Sequence, residues 1–210
     1  MLIVGGTFDP PHSAHIGLPV QLRDRWFQEA AILFVPAAAS PFKSARDAAS
    51  PADRVRMTRL AISHIPGTAV WTDEIDRDRG EPSYTVDTLR RAAEIAPLSR
   101  LRLVIGADQA AAFHRWRECR EILRLAEPVV MLRPPLDSTE VLRAALEASG
   151  DWSGQEVEQW LSRTVATPLV DVSSTRIRVL VHDGGVDAVP EDWLHPAVRE
   201  YIRDHGLYRA

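Results

Sequence analysis

The stretch GGTFDPPHSAH, residues 5–15, follows the short apolar run MLIV at 1–4 and decides the interpretation of the whole chain. The apolar run predicts a buried strand, and the glycines Gly5 and Gly6 after it permit a tight turn and the close approach of a ligand. A helix is predicted to begin near Pro11 and His12. Its first N–H groups lack helical partners and its dipole is positive at this end. The stretch therefore predicts an anion site directly after the first strand.

Two histidines lie at the start of this helix. His12 and His15 are three residues apart, which places both imidazoles on one helical face. Beside a phosphate, imidazoles donate hydrogen bonds and, when protonated, neutralise growing negative charge. The stretch is not a Walker A motif, because it lacks the Gly-Lys-Ser/Thr ending, and it is not GxGxxG. A zinc site and plain capping histidines stay open as alternatives.

Strand-like and helix-like segments alternate along the chain. The predicted strands are 1–4, 30–37, 68–75, 100–108, 127–134 and 167–172, and the predicted helices are 12–28, 50–65, 83–96, 110–126, 138–149, 173–184 and 195–206. This alternation predicts an α/β fold with a doubly wound, mainly parallel open sheet, similar to a Rossmann fold. Ligands of such sheets bind beyond the carboxyl ends of the strands. The polar segment 150–165, with two tryptophans, fits no element.

Composition sets the broad class. The 210 residues, 45% of them hydrophobic and 26% charged, predict a single domain over 1–210, with a C-terminal helical part at about 173–210 packed on the sheet. A net charge of -4 gives no sign of nucleic-acid binding. No signal peptide or membrane-length apolar run is visible, and Cys119 is the one cysteine. We therefore expect a cytoplasmic protein with no membrane partner.

A second anion site is predicted from DVSSTRIR at 171–178. Its hydroxyl residues at 173–175 favour the N-terminus of a helix, although a plain surface cap gives the same pattern. Arg176 and Arg178 are two residues apart, so only one of them is expected to face a ligand. Lys43 is the single lysine among the 25 basic residues counted as Lys and Arg, which suggests a compact phosphate contact there, with chance survival of one lysine as an equal alternative.

These motifs resemble those of a known family. GGTFDPPHSAH together with SSTRIR is similar to the HxGH and ISSTxxR signatures of the nucleotidylyltransferases. Further blocks resemble those of the bacterial nicotinate mononucleotide adenylyltransferases: PFK (41–43), SYTVDTL (83–89), IGADQ (105–109), FHRW (113–116) and HPAVREYIRDHGLY (195–208). The resemblance covers nearly the whole chain. Ala14, Val4 and Phe42 depart from residues common in the family, and none of these changes removes a phosphate-binding group.

The resemblance implies transfer of the adenylyl group of ATP to nicotinate mononucleotide, giving the dinucleotide and pyrophosphate. It implies catalytic roles for His12, His15, Lys43 and Arg178. It implies ATP-binding roles for Gly5, Gly6, Thr7, Phe8, His12, His15, Gly106, Asp108, Ser174, Thr175 and Arg178. Within that set, Asp108 accepts from the ribose hydroxyls, and Ser174, Thr175 and Arg178 hold the departing β- and γ-phosphates.

For nicotinate mononucleotide the resemblance implies contacts from Lys43, Ser83, Tyr84, Thr85 and Trp116. Backbone N–H groups near Thr85 are expected to receive the nicotinate carboxylate, and Trp116 to stack on the pyridine ring. A plain cap at Thr85 and a core tryptophan at 116 are the alternatives.

Mg²⁺ is expected to accompany ATP, held mainly by phosphate oxygens and water, with no metal-binding residues in the protein itself. Two other functions stay open: a sister enzyme such as phosphopantetheine adenylyltransferase, and a nucleotide-binding regulator without turnover. The central SYTVDTL and GADQ blocks argue against the first, and the intact His12, His15 and Arg178 argue against the second. Whether the chain forms a homo-oligomer is left open.

Overall fold

A computed structural model describes residues 1–38, 48–77, 83–168 and 170–209. The chain divides into two compact units. The first unit comprises residues 1–4 and 84–169, and the second comprises residues 5–83 and 170–210. The sequence-based prediction of a single domain over 1–210 stays a prediction.

Six strands are described, and they pair in parallel. They are β1 (Leu2–Gly6), β2 (Ile32–Pro36), β3 (Thr68–Val70), β4 (Arg102–Gly106), β5 (Glu127–Met131) and β6 (Thr164–Val165). In the first unit Leu2 of β1 aligns with Arg102, Val104 with Val129, and Val130 with Thr164. In the second unit Ile32 aligns with Thr68. The strand order is β3-β2-β1-β4-β5-β6, which confirms the predicted doubly wound parallel sheet.

Ten α-helices occur in the described residues. They are α1 (Ser13–Trp26), α2 (Pro51–Ile62), α3 (Asp73–Asp76), α4 (Thr85–Ile95), α5 (Ala107–Ala111), α6 (Cys119–Leu125), α7 (Thr139–Ser149), α8 (Gly154–Ser162), α9 (Ser174–Gly184) and α10 (Pro196–Asp204). Local signals set several of their starts. The Ser50 hydroxyl accepts from the Asp53 N–H ahead of α2, with Pro51 in the first turn, as predicted.

The core of the first unit is rich in aromatic and aliphatic side chains. Trp160 of α8 is 1% exposed and meets Phe113 edge-on, with ring centroids 4.9 Å apart. Leu142 and Leu146 of α7 are fully buried. The segment 150–165, unassigned from sequence, therefore supplies a core helix. Its start is fixed by a capping box, in which Ser153 and Glu156 bond each other's backbone.

The core of the second unit lies around β2. Phe34 and Met57 are fully buried, and Phe8 meets Phe34 edge-on with centroids 6.0 Å apart. Helix α10 lies on α2, where the Tyr201 hydroxyl donates to Asp53 Oδ1 over 2.9 Å. The last helix of the chain is thus fixed beside α2 in this unit.

Three predicted elements are wrong in detail. The strand predicted over 68–75 ends at Val70, because Asp73 begins a helical turn held by an i,i+4 pair with Arg77. The strand predicted over 167–172 is replaced by β6 at Thr164–Val165, and a strand there would include Pro168, which has no N–H to donate.

The helix predicted over 110–126 is also wrong, because it is interrupted. A 3₁₀ turn occupies Phe113–Arg115, and Glu118 takes left-handed backbone angles (φ 51°) just before α6. A left-handed residue cannot continue a right-handed helix, so two short helices replace one long helix.

Within the described parts of the chain, no helix combines the length and the apolar character needed to span a membrane.

Candidate active site

The glycine-rich loop after β1 lies in the second unit. Its backbone turn depends on Phe8 and Gly6. Phe8 has a left-handed backbone (φ 50°) and a fully buried ring, whose edge-on partner His15 lies 5.3 Å away between centroids. A Cβ at Gly6 would lie 3.2 Å from the Phe8 ring, so a side chain there would require this buried ring to shift by a few tenths of an ångström. A Cβ at Gly5 would meet nothing within 4 Å, so the space beside that backbone is open.

The two histidines lie against each other at the start of α1. His12 occupies the N-cap position and is 6% exposed, but its side chain makes no capping hydrogen bond. Its imidazole stacks on that of His15, with centroids 3.7 Å apart and planes 20° apart. The predicted proximity of the two rings is confirmed. Because the first turn of α1 contains no acidic residue, the N-terminal end of its dipole is not neutralised within the helix.

Three side chains donate to carbonyl groups of the loop. The bonds are Arg54 Nη1 to Thr7 O (2.8 Å), Arg178 Nη1 to Asp9 O (2.8 Å) and Ser174 Oγ to Pro10 O (2.9 Å). Arg54 also donates to the carbonyls of Ala37 and Ala38, which follow β2. These donors fix the loop from behind, through its carbonyls. The hydroxyl proton of Ser174 is committed to this bond, and its predicted contact with ATP phosphates stays a prediction.

Asp9 links three distant parts of the second unit. Its Oδ1 accepts from the Ala49 N–H (3.0 Å) and from the Tyr208 hydroxyl (2.6 Å). Its Oδ2 lies 3.8 Å from Arg178 Nη1. Asp9 is 6% exposed, so the carboxylate is compensated by these partners rather than by water.

Burial and this carboxylate both affect nearby ionisable groups. Burial lowers the pKa of Arg54, and the nearby Asp9 and Tyr208 oppose that shift. Burial raises the pKa of Tyr208, and the charge of Asp9 raises it further, so the hydroxyl stays protonated at neutral pH. Asp9, Arg54 and Tyr208 were not predicted from the sequence as site residues. Asp9 lies in the motif GGTFDPPHSAH and Tyr208 in HPAVREYIRDHGLY, so the sequence offered a signal for both. No motif includes Arg54.

The side chains of Arg176 and Arg178, in the motif DVSSTRIR, contact different parts of the second unit, as predicted. Arg176 pairs with Asp171 (2.9 Å) and lies over the Trp193 ring. Arg178 faces the loop instead, and its Nη2 is 3.5 Å from Thr175 Oγ1. Lys43, predicted as a phosphate contact, lies outside the described residues.

In the first unit, β4 ends at Gly106 and Asp108 lies in the first turn of α5. Asp108 Oδ1 accepts from Arg133 Nε at 2.9 Å and lies 2.7 Å from Arg133 Nη2. A Cβ at Gly106 would lie 2.6 Å from Arg133 Nε, so glycine at 106 makes room for this ion pair. Arg133 had no signal in the sequence beyond its place near the end of the strand predicted over 127–134. The predicted ribose contact of Asp108 stays a prediction.

Three of the residues predicted to bind the pyridine substrate lie in the first unit: Tyr84, Thr85 and Trp116. Thr85 is the first residue of α4 and Tyr84 is the N-cap, so Thr85 is not the cap of this helix. Trp116 is not on a helix: it follows the 3₁₀ turn in extended conformation and is half-buried, with its ring stacked on Phe113 at 4.9 Å. One face of this tryptophan is therefore supported by the core.

Among the described ranges, no group of three or more His, Cys, Asp or Glu side chains could hold a metal ion.

Comparison with known proteins gives consistent matches along the chain. The cytidylyltransferase-like family model matches residues 3–180. A protein of Chromobacterium violaceum named "Probable nicotinate-nucleotide adenylyltransferase" is 36% identical over 99% of this chain and 97% of its own length. One of the same name from Roseiflexus castenholzii is 37% identical, covering 99% and 96%.

Solved structures share the fold. The Plasmodium falciparum nicotinic acid mononucleotide adenylyltransferase complexed with NaAD has a TM-score of 0.69 and 17% identity, over 99% of this chain and 96% of that one. The same enzyme complexed with APC also has a TM-score of 0.69, at 15% identity, with the same coverage of both chains.

Proposed function

We propose that this chain, which belongs to the cytidylyltransferase-like family and within it to the nicotinate-nucleotide adenylyltransferases, transfers the adenylyl group of ATP to nicotinate mononucleotide. The products are nicotinate adenine dinucleotide and pyrophosphate, a step of NAD biosynthesis. One observation carries the proposal: the stacked His12 and His15 at the N-terminus of α1, beside a loop held by Arg178. That arrangement suits a triphosphate.

The reaction needs no nucleophile from the protein. A phosphate oxygen of the mononucleotide attacks the α-phosphorus of ATP in line, and the bond from that phosphorus to the oxygen bridging the α- and β-phosphates breaks. Pyrophosphate leaves with the electron pair. Catalysis is then a matter of positioning and of stabilising negative charge.

In this mechanism the glycine-rich loop and the starts of α1 and α9 contribute to binding the phosphates. The loop backbone over Gly5–Phe8, together with His12, contacts the ATP phosphates, and His15 donates to the oxygen on which charge develops. Lys43 holds a phosphate of the reacting cluster. Ser174, Thr175 and Arg178 contact the β- and γ-phosphates that leave. Three carbonyl groups of the loop, those of Thr7, Asp9 and Pro10, accept from protein donors that hold the loop in place.

Asp108, the start of α4 and Trp116 bind the two nucleoside ends. Asp108 accepts from the adenosine ribose hydroxyls, beside Gly106. The nicotinate carboxylate is received by N–H groups at the start of α4, near Thr85, with Ser83 and Tyr84 leading into it. Trp116 stacks on the pyridine ring, and the contact of its own ring with Phe113 supports this role.

Mg²⁺ enters with ATP as the MgATP complex, with phosphate oxygens and water as its ligands. The direct partners are thus ATP and nicotinate mononucleotide, without nucleic acid or membrane. A cytoplasmic location and the oligomeric state stay predictions.

The deciding experiment is turnover by the purified protein with MgATP and a choice of acceptor. We expect pyrophosphate release and dinucleotide formation with nicotinate mononucleotide and none with phosphopantetheine. A regulator would give no turnover with either acceptor, and a sister enzyme would reverse the preference. Either result would refute the proposal.

The same assay tests the pyridine site. A neutral amide gains less than a carboxylate at helix N–H groups, so kcat/KM for nicotinamide mononucleotide should be lower by about ten- to a hundredfold. Trp116→Ala should lower kcat/KM for both mononucleotides by a similar factor, because stacking on the pyridine ring does not depend on whether the ring carries a carboxylate or an amide. Equal use of both acceptors by the wild type would contradict this account.

A further inference from the structure

We infer that the Tyr208 hydroxyl, close to the C-terminus, is a positioning group that acts through Asp9 to hold Arg178 in place for the ATP phosphates. This inference rests on the proposed function, because it takes Arg178 as a phosphate-binding residue. Tyr208 itself is assigned no contact with substrate.

The first part of the connection from Tyr208 to Arg178 is the hydrogen bond from Tyr208 to Asp9. Tyr208 lies 199 residues from Asp9 in sequence, yet its hydroxyl donates to Asp9 Oδ1 over 2.6 Å. Its backbone is left-handed (φ 63°), a conformation that tyrosine rarely adopts. Such a conformation persists where surrounding contacts require it, and the bond to Asp9 is the contact that places this side chain.

The second part of this connection is the Asp9 carboxylate. Asp9 Oδ1 takes the bonds from Tyr208 and from the Ala49 N–H, so the carboxylate is fixed in rotation and its Oδ2 is presented to Arg178 at 3.8 Å. Arg178 also donates to the Asp9 carbonyl over 2.8 Å. Asp9 therefore meets the guanidinium through both its backbone and its side chain. Without the tyrosine hydroxyl, Oδ1 keeps one partner and the carboxylate can rotate.

The hydroxyl is a stable donor for this purpose. Burial raises the pKa of Tyr208, and the Asp9 charge adds to the shift, so the group does not ionise in the neutral range. Replacing Tyr208 by phenylalanine removes only this donor and keeps the ring.

The chain offers a matched control in the same unit. Tyr201 on α10 also donates its hydroxyl to a carboxylate, Asp53 Oδ1, over 2.9 Å. Asp53 belongs to α2, where it bonds Ser50, and it makes no contact with Arg178 among the described residues. Tyr201→Phe therefore deletes the same kind of bond away from the loop.

The test is MgATP affinity, measured by titration calorimetry without acceptor, in a double-mutant cycle. We expect Tyr208→Phe to weaken MgATP binding by about three- to tenfold, which is the range for one lost hydrogen bond, and Tyr201→Phe to change it by less than about twofold. In an Arg178→Ala background, Tyr208→Phe should add no further loss, because its effect passes through that arginine.

Each other result overturns the inference: wild-type affinity in Tyr208→Phe, an equal loss in Tyr201→Phe, an undiminished loss in the Arg178→Ala background, or failure of Tyr208→Phe to fold. Failure of the proposed function would give a different experimental result. In that case the wild type binds MgATP but does not adenylate nicotinate mononucleotide, and the affinity pattern still decides the role of Tyr208. A wild type that binds no MgATP refutes both.

Discussion

Arg54 gives the sharpest test of how the phosphate loop is held. Its guanidinium is buried and donates to three carbonyls, those of Thr7, Ala37 and Ala38, over 2.7–3.0 Å. Arg54→Met keeps most of the apolar stem and removes all three donors. The carbonyls follow β1 and β2, so the substitution should release the loop on one side and the end of β2 on the other.

The magnitude follows from two opposing contributions. Hydrogen bonds to a charged donor contribute about 1.5–3 kcal/mol each, which for three bonds is roughly 4.5–9 kcal/mol. Against this, the variant no longer buries a guanidinium, whose desolvation costs several kcal/mol and is the reason that the pKa of Arg54 is lowered. The net loss expected for Arg54→Met is about 3–5 kcal/mol, the usual cost of removing one partner from a buried charged network.

The assay is urea unfolding at 25 °C, followed by circular dichroism, with Arg56→Met as the control. Arg56 is exposed on the same helix, two residues away, so its replacement should change the free energy of unfolding by less than about 0.5 kcal/mol. Where Arg54→Met is folded, its kcat/KM for ATP should also fall. A loss of unfolding free energy below about 1 kcal/mol, or one equal to that of Arg56→Met, would refute the reasoning.

Three further predictions concern single residues. His15→Ala should lower kcat at least about a hundredfold, close to 3 kcal/mol of transition-state stabilisation, with unchanged circular dichroism; near-normal turnover in the folded variant would remove His15 from the mechanism. Lys43→Arg should not restore the kcat/KM lost in Lys43→Ala, because a planar guanidinium does not replace a compact ammonium; full activity of Lys43→Arg would show that the single lysine is incidental. Burial and the charge of His64 lower the pKa of His195 below its unfolded value of 6.5, so the unfolded chain binds the proton more readily and stability should fall as pH drops below about 6.5. His195→Asn, which keeps an N-cap acceptor, should show a smaller fall in unfolding free energy between pH 7 and pH 5.5, and an identical slope would contradict the assignment.

Most of the fold and the family could be predicted because their signals are local. The apolar run, glycines and helix start at 1–15 are contiguous, and β1, the loop and α1 form there. The pairing of His12 and His15 follows from helical spacing alone, and the rings stack. The resemblance carried by the end motifs is confirmed by relatives that match along 99% of the chain.

The support of the loop could not be predicted, because it depends on tertiary contacts. The pairing of Asp9 with Tyr208 spans 199 residues, and no periodicity links them. Arg54 lies in no motif of the sequence, and its place among the buried residues of α2 is visible only in the structure. The interruption before α6 depends on a left-handed Glu118, a residue type that gives no warning of that conformation.

The arginines of the second unit explain how one residue can hold the loop and still bind an anion. Arg54 has three of its five guanidinium N–H groups on backbone carbonyls within a buried site, so it is a structural residue. Arg178 is partly exposed, with a side-chain exposure of 27%, and it donates to the Asp9 carbonyl and to Thr175 Oγ1, with Asp9 Oδ2 3.8 Å from its Nη1. The planar guanidinium of Arg178 therefore keeps N–H donors for a phosphate, while one of its edges stays hydrogen-bonded to the Asp9 carbonyl of the loop. A lysine at 178 would present its three donors from one compact point, whereas the planar fork of arginine can hold the carbonyl with one edge and a phosphate with the other.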